Sequence, residues 1–260
     1  MLEALILGIV EGLTEFLPIS STGHLLIVEH WLARRSDLFN VAIQVGAIIA
    51  VTLVYRHRIV AMLRGWREPE QRDYILKLFV SFFVTAVLGL AAELAGAKLP
   101  ETVTPVAWAL IVGGVVIFVA EYYARRHVPA ENVTWAVVIA VGVAQVVAGV
   151  FPGTSRSAAA IFAGMFAGLT SRPRAAEFAF LVGIPTMFAA TGFELLKALA
   201  DGGFAGEAWG QLGVGFVAAA IVGFASVKWL LGYISRHSFV VFAWYRLALG
   251  VALLLLLGAR

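Results

Sequence analysis

Glu11-Gly-Leu-Thr-Glu-Phe-Leu-Pro-Ile-Ser-Ser-Thr-Gly-His24 sets two carboxylates, a proline, a row of hydroxyls and a histidine inside an otherwise apolar stretch of chain. Ionisable groups at membrane depth cost about 2.5–3.5 kcal/mol each on insertion scales and rarely persist there without a task. The apolar segments flanking this loop within residues 1–34 run about 10–16 residues each, short for crossing a hydrocarbon core about 30 Å thick. Two short segments joined by a polar, proline-containing loop read as a re-entrant hairpin. Irregular backbone at that depth is tolerated only when buried in protein or lining a wet cavity, so the loop predicts a cavity. A second unit, 134–170, is built the same way around Phe151-Pro-Gly-Thr-Ser-Arg-Ser157.

Composition agrees with a membrane setting. The 260 residues are 61% hydrophobic and 13% charged, with a mean hydropathy of +0.93, whereas a soluble domain carries about 25% charged residues. Apolar runs such as Val103–Ala120, Phe178–Leu196 and Phe239–Gly258 suit helices that cross a bilayer. Six spanning helices are expected, near 37–55, 74–95, 103–123, 175–197, 211–232 and 239–258. With no polar linker, residues 1–260 form a single polytopic membrane domain. The absence of cysteine excludes disulfide and thiol chemistry. Met-Leu-Glu-Ala-Leu-Ile-Leu-Gly at the N-terminus lacks a basic region and a small-residue cleavage site, so no removable signal peptide is expected. The net charge of +3 lies in membrane-flanking arginines and does not indicate nucleic-acid binding.

The two polar units match at an offset of 134: Gly8 with Gly142, Glu11 with Gln145, Pro18 with Pro152, Ser20 with Thr154 and Ser21 with Ser155. Ala86-Val-Leu-Gly89 pairs with Ala220-Ile-Val-Gly223 at the same offset. Three spans and one re-entrant hairpin make an odd number of crossings, so the half at about 134–260 is expected to be inverted relative to that at about 1–126. The fold class is therefore an all-α integral membrane protein with six transmembrane helices and two re-entrant helical hairpins in an inverted-topology repeat.

One side of this topology holds Arg56, Arg58, Arg64, Arg67, Arg72, Arg125, Arg126, Arg172, Arg174 and Arg236; the other holds Arg34, Arg35, Lys98 and Arg260. The basic side is read as cytoplasmic, which leaves both termini outside. Trp108, Trp135, Trp209 and Trp229 fall near predicted span ends, as in an interfacial aromatic belt.

The polar loops suggest their own chemistry. Glu11 and Glu15, spaced i and i+4, share a helix face and repel each other. A divalent cation, an arginine or a proton on one carboxyl would relieve the repulsion. Hard oxygen ligands favour Mg²⁺ or Ca²⁺, completed by water and substrate phosphate. Pro18 followed by Ser20, Ser21 and Thr22 suits the start of a half-helix whose free N–H groups favour a phosphate. His24 is within reach of the Ser20 or Ser21 hydroxyl. Gly153, Thr154, Ser155 and Ser157 repeat the device, and Arg156 adds a planar fork matched to phosphate oxygens. Arg156 could instead balance Glu11 or Glu15. Gln44 and Gln145 read as interhelical hydrogen bonders, and Arg246 as a residue that snorkels or pairs structurally. Two carboxylates, one arginine and a divalent cation sum to +1, which suits the pyrophosphate of an amphiphile whose tail lies in the bilayer.

At these residues the chain resembles the undecaprenyl-pyrophosphate phosphatase family of the bacitracin-resistance type. The family's first motif looks like Glu11–His24 throughout, and its second like Pro152–Ser157. The likeness continues through Gln44-Val-Gly46 and Ser171–Pro185. A departure follows the second motif, where the family usually has Gly and then Thr two places on, and this chain has Ala158 and Ala160. The resemblance implies dephosphorylation of undecaprenyl pyrophosphate to the monophosphate, which recycles the carrier for cell-wall polymers. It also implies a divalent cation and a site opening to the outer face of the bacterial plasma membrane. Glu11 and Glu15 would bind metal or act as acid and base. Ser20, Ser21 and His24 would supply the nucleophile or its helper, and Arg156 would clamp phosphate. A transporter or flippase of lipid-linked phosphate is the alternative that an inverted repeat also allows. The expected partners are a polyprenyl pyrophosphate and membrane lipid, with a homodimer left open.

Overall fold

The computed structural model describes residues 1–32, 35–97, 102–200 and 207–256. All regular structure among these residues is helical. The chain runs α1 (Leu2–Thr14), α2 (Ser21–Trp31), α3 (Asp37–Val54), α4 (Arg56–Arg64), α5 (Pro69–Leu94), α6 (Val103–Arg125), α7 (Trp135–Val150), α8 (Arg156–Phe166), α9 (Arg172–Ala200), α10 (Trp209–Ile234) and α11 (Val240–Leu256).

Five of these helices, α3, α5, α6, α9 and α10, are long and apolar enough to cross a membrane. The sixth expected span corresponds to α11, a shorter apolar helix of 17 residues. The polar units emerge as the short pairs α1–α2 and α7–α8. At about 1.5 Å per residue the 11-residue α2 and α8 reach only ~17 Å. The arginine-rich stretch after α3, expected as a loop, begins with the nine-residue helix α4.

Local chemistry fixes the helix starts. Ser36 and Thr134 cap α3 and α7 by accepting from the N–H groups of Phe39 and Val137, and Pro69 opens α5 where no intrahelical N–H is needed. Helix α9 continues through Pro185, which has no N–H to give the Leu181 carbonyl.

Small residues bring the helices together. A Cβ on Gly8 of α1 would collide with the backbone of Gly215 on α10. A Cβ on Gly142 of α7 would lie 2.8 Å from the Ser81 carbonyl oxygen on α5. Both crossings obey one offset, since 142 − 8 and 215 − 81 each equal 134. Helix α1 packs on α10 as α7 packs on α5, while α6 meets α11 and α3 meets α9. Close backbone approach at small residues is the usual way helices associate where lipid removes the hydrophobic drive.

The main core runs beneath the first polar loop. Phe16, Leu17 and Ile19 are buried with Phe162 and Met165 of α8 and Phe178–Val182 of α9, and Phe16 meets Phe180 edge-on at 5.7 Å. The irregular backbone after α1 is thereby enclosed in protein.

Ion pairs gather at two ends of the bundle. Arg58 meets Glu177 at 3.0 Å, Arg172 holds Glu121 through two nitrogens, and Arg174 meets Glu131 at 3.4 Å. Elsewhere Arg35 bonds Glu3 and Gln211 at the starts of α1 and α10. Arg34, Lys98 and Arg260 lie outside the described residues. Trp135 and Trp209 open α7 and α10, and all four tryptophans of the expected belt are exposed.

Candidate active site

Helix α1 ends one residue before Glu15, whose N–H bonds the Glu11 carbonyl at 2.9 Å. The chain then turns through Phe16–Ile19 to Ser20. Ser20 has φ 72°, and its hydroxyl accepts from the Gly23 N–H at 3.3 Å, capping α2. Ser21, the first residue of α2, donates its hydroxyl to Glu15 Oε2 at 2.5 Å. The two serines therefore do different work: Ser20 serves the backbone, and Ser21 faces a carboxylate.

The second loop repeats the cap. Ser155 has φ 69° and accepts from the Ala158 N–H at 3.3 Å. The equivalence is Ser20 with Ser155, one residue beyond the sequence match of Ser20 with Thr154. The second loop carries one more residue between its proline and its cap, so Ser21 corresponds to Arg156. Gly153, at φ +89°, is that loop's point of close approach; a Cβ there would sit 2.8 Å from the Val106 backbone.

The two loops touch. Ser157 donates to the Leu17 carbonyl at 3.2 Å. Arg246 joins the loops more firmly, with no exposed surface at all. Its Nη1 donates to the Pro18 carbonyl at 3.3 Å and the Thr154 carbonyl at 3.1 Å. Its Nη2 donates to the Gly153 carbonyl at 3.1 Å and the Ala109 carbonyl at 2.9 Å, and its Nε to the Leu110 carbonyl at 3.3 Å. All three guanidinium nitrogens are engaged with backbone. Gly113 leaves room for the group, because a Cβ there would overlap it. Of the two readings the sequence offered, snorkelling or structural pairing, Arg246 follows the second; its partners lie on both loop tips and on α6.

A small cleft of about 20 Å³ opens between the loops, room for about one ordered water. Glu15, Gln145, Arg156 and Ser157 form its polar wall, and Ala179, Phe180, Gly183 and Met187 of α9 its apolar one. Ala160 also lines it, so the position where the family usually has threonine presents a methyl group. Arg156 forms no ion pair with either glutamate among the described residues and leaves its fork to the cleft.

Glu11 is 1% exposed, and neither of its carboxylate oxygens has a partner. It feels the charges of Glu15 and Arg156. Gln145 is 3% exposed, and both polar atoms of its amide are also unpartnered. The interhelical hydrogen bond expected of it is absent. Leaving such a group dry and unpaired costs about 1–3 kcal/mol.

His24 joins the first loop to α11. Its Nδ1 is 2.6 Å from the Ser20 carbonyl oxygen and its Nε2 2.6 Å from the Tyr245 hydroxyl, with the two rings stacked. Neither His24 nor Ser21 is among the residues lining the cleft; Ser21 is joined to it through Glu15, and His24 meets the Ser20 carbonyl. Thr22 does not line the cleft either, while Thr154 offers its carbonyl to Arg246. Ser155 and Ser157 hydroxyls pair at 3.0 Å. The structure therefore gathers Glu15, Ser21, Arg156 and Ser157, with Glu11 beneath, and adds Gln145 and Arg246. The latter was legible as a cation within the apolar run Phe239–Gly258, which needs a reason to be there.

A family model described as bacitracin resistance protein BacA matches residues 4–252. An undecaprenyl-diphosphatase of Rhizobium etli is 58% identical over 253 residues, covering 97% of this chain and 96% of its own length. Another, from Xanthomonas axonopodis pv. citri, is 60% identical over 259 residues, covering 100% of this chain and 98% of its own.

Proposed function

The chain belongs to the BacA bacitracin-resistance family, and from that premise we propose how its loops do their work. The protein is a multi-pass membrane enzyme that hydrolyses undecaprenyl pyrophosphate to undecaprenyl phosphate and inorganic phosphate. The observation that carries the mechanism is the 2.5 Å hydrogen bond from Ser21 to Glu15 at the cleft that Arg156 lines.

Ser21 Oγ attacks the terminal phosphorus while Glu15 takes its proton. The bond from that phosphorus to the bridging oxygen breaks, and its electron pair leaves with undecaprenyl phosphate. Arg156 donates to the phosphoryl oxygens as charge builds on them. Glu15 passes its proton to the departing phosphate. Water then attacks the phosphoserine, giving a proton to Glu15, and that proton returns to Ser21 Oγ as the P–O bond breaks and inorganic phosphate is released. The apolar wall of α9 suits the first isoprene units of the tail.

Glu11 and Glu15 fit a hard divalent cation, Mg²⁺ or Ca²⁺. Two buried carboxylate oxygens without partners, next to a second carboxylate, are a poor arrangement without one. No cluster of three or more His, Asp or Glu residues stands among the described residues, so water and substrate phosphate would complete the shell. When bound, the cation neutralises phosphoryl oxygens. Glu11, Glu15, Arg156 and Arg246 sum to zero, so a divalent ion would leave +2 to meet the pyrophosphate.

The proposed topology is six spans and two re-entrant hairpins, entering from opposite faces in an inverted repeat over about 1–126 and 134–260. The matched crossings Gly8–Gly215 and Gly142–Ser81 support it, as do the matched caps Ser20 and Ser155. The arginine-rich end containing Arg58, Arg172 and Arg174 is assigned to the cytoplasm, with the cleft reached from the outer face of the plasma membrane.

Acid-quenching the enzyme during turnover of a pyrophosphate labelled in its terminal phosphate tests the nucleophile. The label should remain on Ser21. Label on His24, or an unlabelled protein under rapid turnover, would contradict the covalent step.

A further inference from the structure

Gln145 sits on α7 at the cleft wall beside Arg156, 3% exposed, with both amide atoms lacking any partner. A buried amide in a finished core finds a neighbour, and here none is supplied by α5 or α8, the helices packed on α7, or by the α9 residues that share the cleft. What it faces is the space between Glu15 and Arg156.

Its place in the repeat sharpens the point. Gln145 stands 134 residues after Glu11, at the same depth of the other hairpin. One hairpin carries Glu11, Glu15 and Ser21; the other carries Gln145 and Arg156 in the positions matching Glu11 and Ser21. The first half brings both carboxylates, and the second brings only neutral or cationic groups, Gln145, Arg156 and the Ser157 hydroxyl. A carboxylate at 145 would put a third negative charge into a cleft that must take a pyrophosphate. An amide of the same shape gives donors without that charge.

We infer that Gln145 is a substrate-contacting residue whose side-chain N–H group donates to the terminal phosphoryl group, beside the Arg156 guanidinium, while its carbonyl accepts from a water at the same phosphorus. This rests on the reading that the Glu15–Ser21–Arg156 cleft is the reaction site.

The test uses the full chain purified in detergent, with Gln145→Leu and Gln145→Glu compared against Glu15→Gln. Two quantities are read: kcat/KM for phosphate release from farnesyl pyrophosphate, and melting temperature with and without inorganic pyrophosphate. Gln145→Leu should lower kcat/KM at least tenfold. Its melting temperature without ligand should stay equal or rise, since an unpaired amide is replaced by an apolar group of similar size. The upward shift that pyrophosphate gives the wild type should shrink. Gln145→Glu should lower kcat/KM further than leucine does, and should abolish the pyrophosphate shift.

The inference is overturned if Gln145→Leu melts lower yet keeps wild-type kcat/KM and a normal pyrophosphate shift. Should the leucine variant not fold, the isosteric glutamate decides, and near-normal kcat/KM in it sinks the assignment. Glu15→Gln separates the two layers. If it is inactive while Gln145→Leu is fully active, only the role of Gln145 fails; if it is itself active, the cleft is not the reaction site.

Discussion

Ser20 and Ser155 hold the same backbone conformation, φ 72° and 69°, and each caps the 11-residue helix that follows it. Positive φ in a residue with a Cβ costs about 1–3 kcal/mol, so the two loops are strained at the residues just before Ser21 and Arg156. Ser20→Gly removes the strain and forfeits only a few tenths of a kcal/mol of capping. Ser20→Ala keeps the strain and loses the cap. The glycine variant should therefore be about 1–3 kcal/mol more stable than the alanine variant in detergent unfolding. Equal stabilities would mean that the Ser20 backbone relaxes.

Those caps also show where sequence reading reached and where it stopped. The short apolar pairs, the proline loops and the run from Glu11 to His24 were enough to locate both pairs of short helices and the polar loops between them. The register between the halves was not, because the extra residue in the second loop lies between its proline and its cap, beyond what a fixed offset detects. Ser21 and His24 looked interchangeable as helpers, being close in sequence. Only the turn at Ser20 decides that Ser21 faces Glu15 and His24 faces Tyr245. Arg246 is 90 residues from Arg156, and no local pattern joins it to the Pro18 and Thr154 carbonyls.

Arg246 should behave as a positioning residue for both loops. Arg246→Met takes its hydrogen bonds from three loop carbonyls and from two carbonyls within α6, and should cost about 3 kcal/mol or more. Arg246→Lys keeps the charge and three donors, so melting temperatures should fall in the order Arg, Lys, Met. Phosphate release per folded molecule should follow the same order. Full activity in a folded methionine variant would remove Arg246 from the account.

Metal removal should separate Glu11 from Glu15. Chelation should abolish turnover, and Mg²⁺ or Ca²⁺ should restore it. Glu11→Gln relieves repulsion with Glu15 and a dry, unpaired charge. Thermal unfolding in chelator should then show it to be at least as stable as the wild type, with turnover down by about a hundredfold or more even with metal present. Unchanged metal dependence with near-normal turnover would exclude Glu11 as a ligand.

The chain has no cysteine, so single cysteines report topology directly. Gly65→Cys and His127→Cys should be shielded from an impermeant reagent in intact cells, while Ala97→Cys should react. Labelling at 65 from outside would reverse the assigned orientation.

The central claim is that the Glu15–Ser21 pair performs the hydrolysis in the cleft lined by Arg156. The most direct measurement is phosphate release from farnesyl pyrophosphate by purified Glu15→Gln in detergent, where no sealed compartment exists for a transporter to work across. The variant keeps the side-chain volume and can still accept from Ser21, so its melting temperature should stay close to that of the wild type. The account predicts that kcat/KM falls at least a hundredfold, about 2.7 kcal/mol of transition-state stabilisation. Wild-type phosphate release by a folded Glu15→Gln enzyme would contradict it.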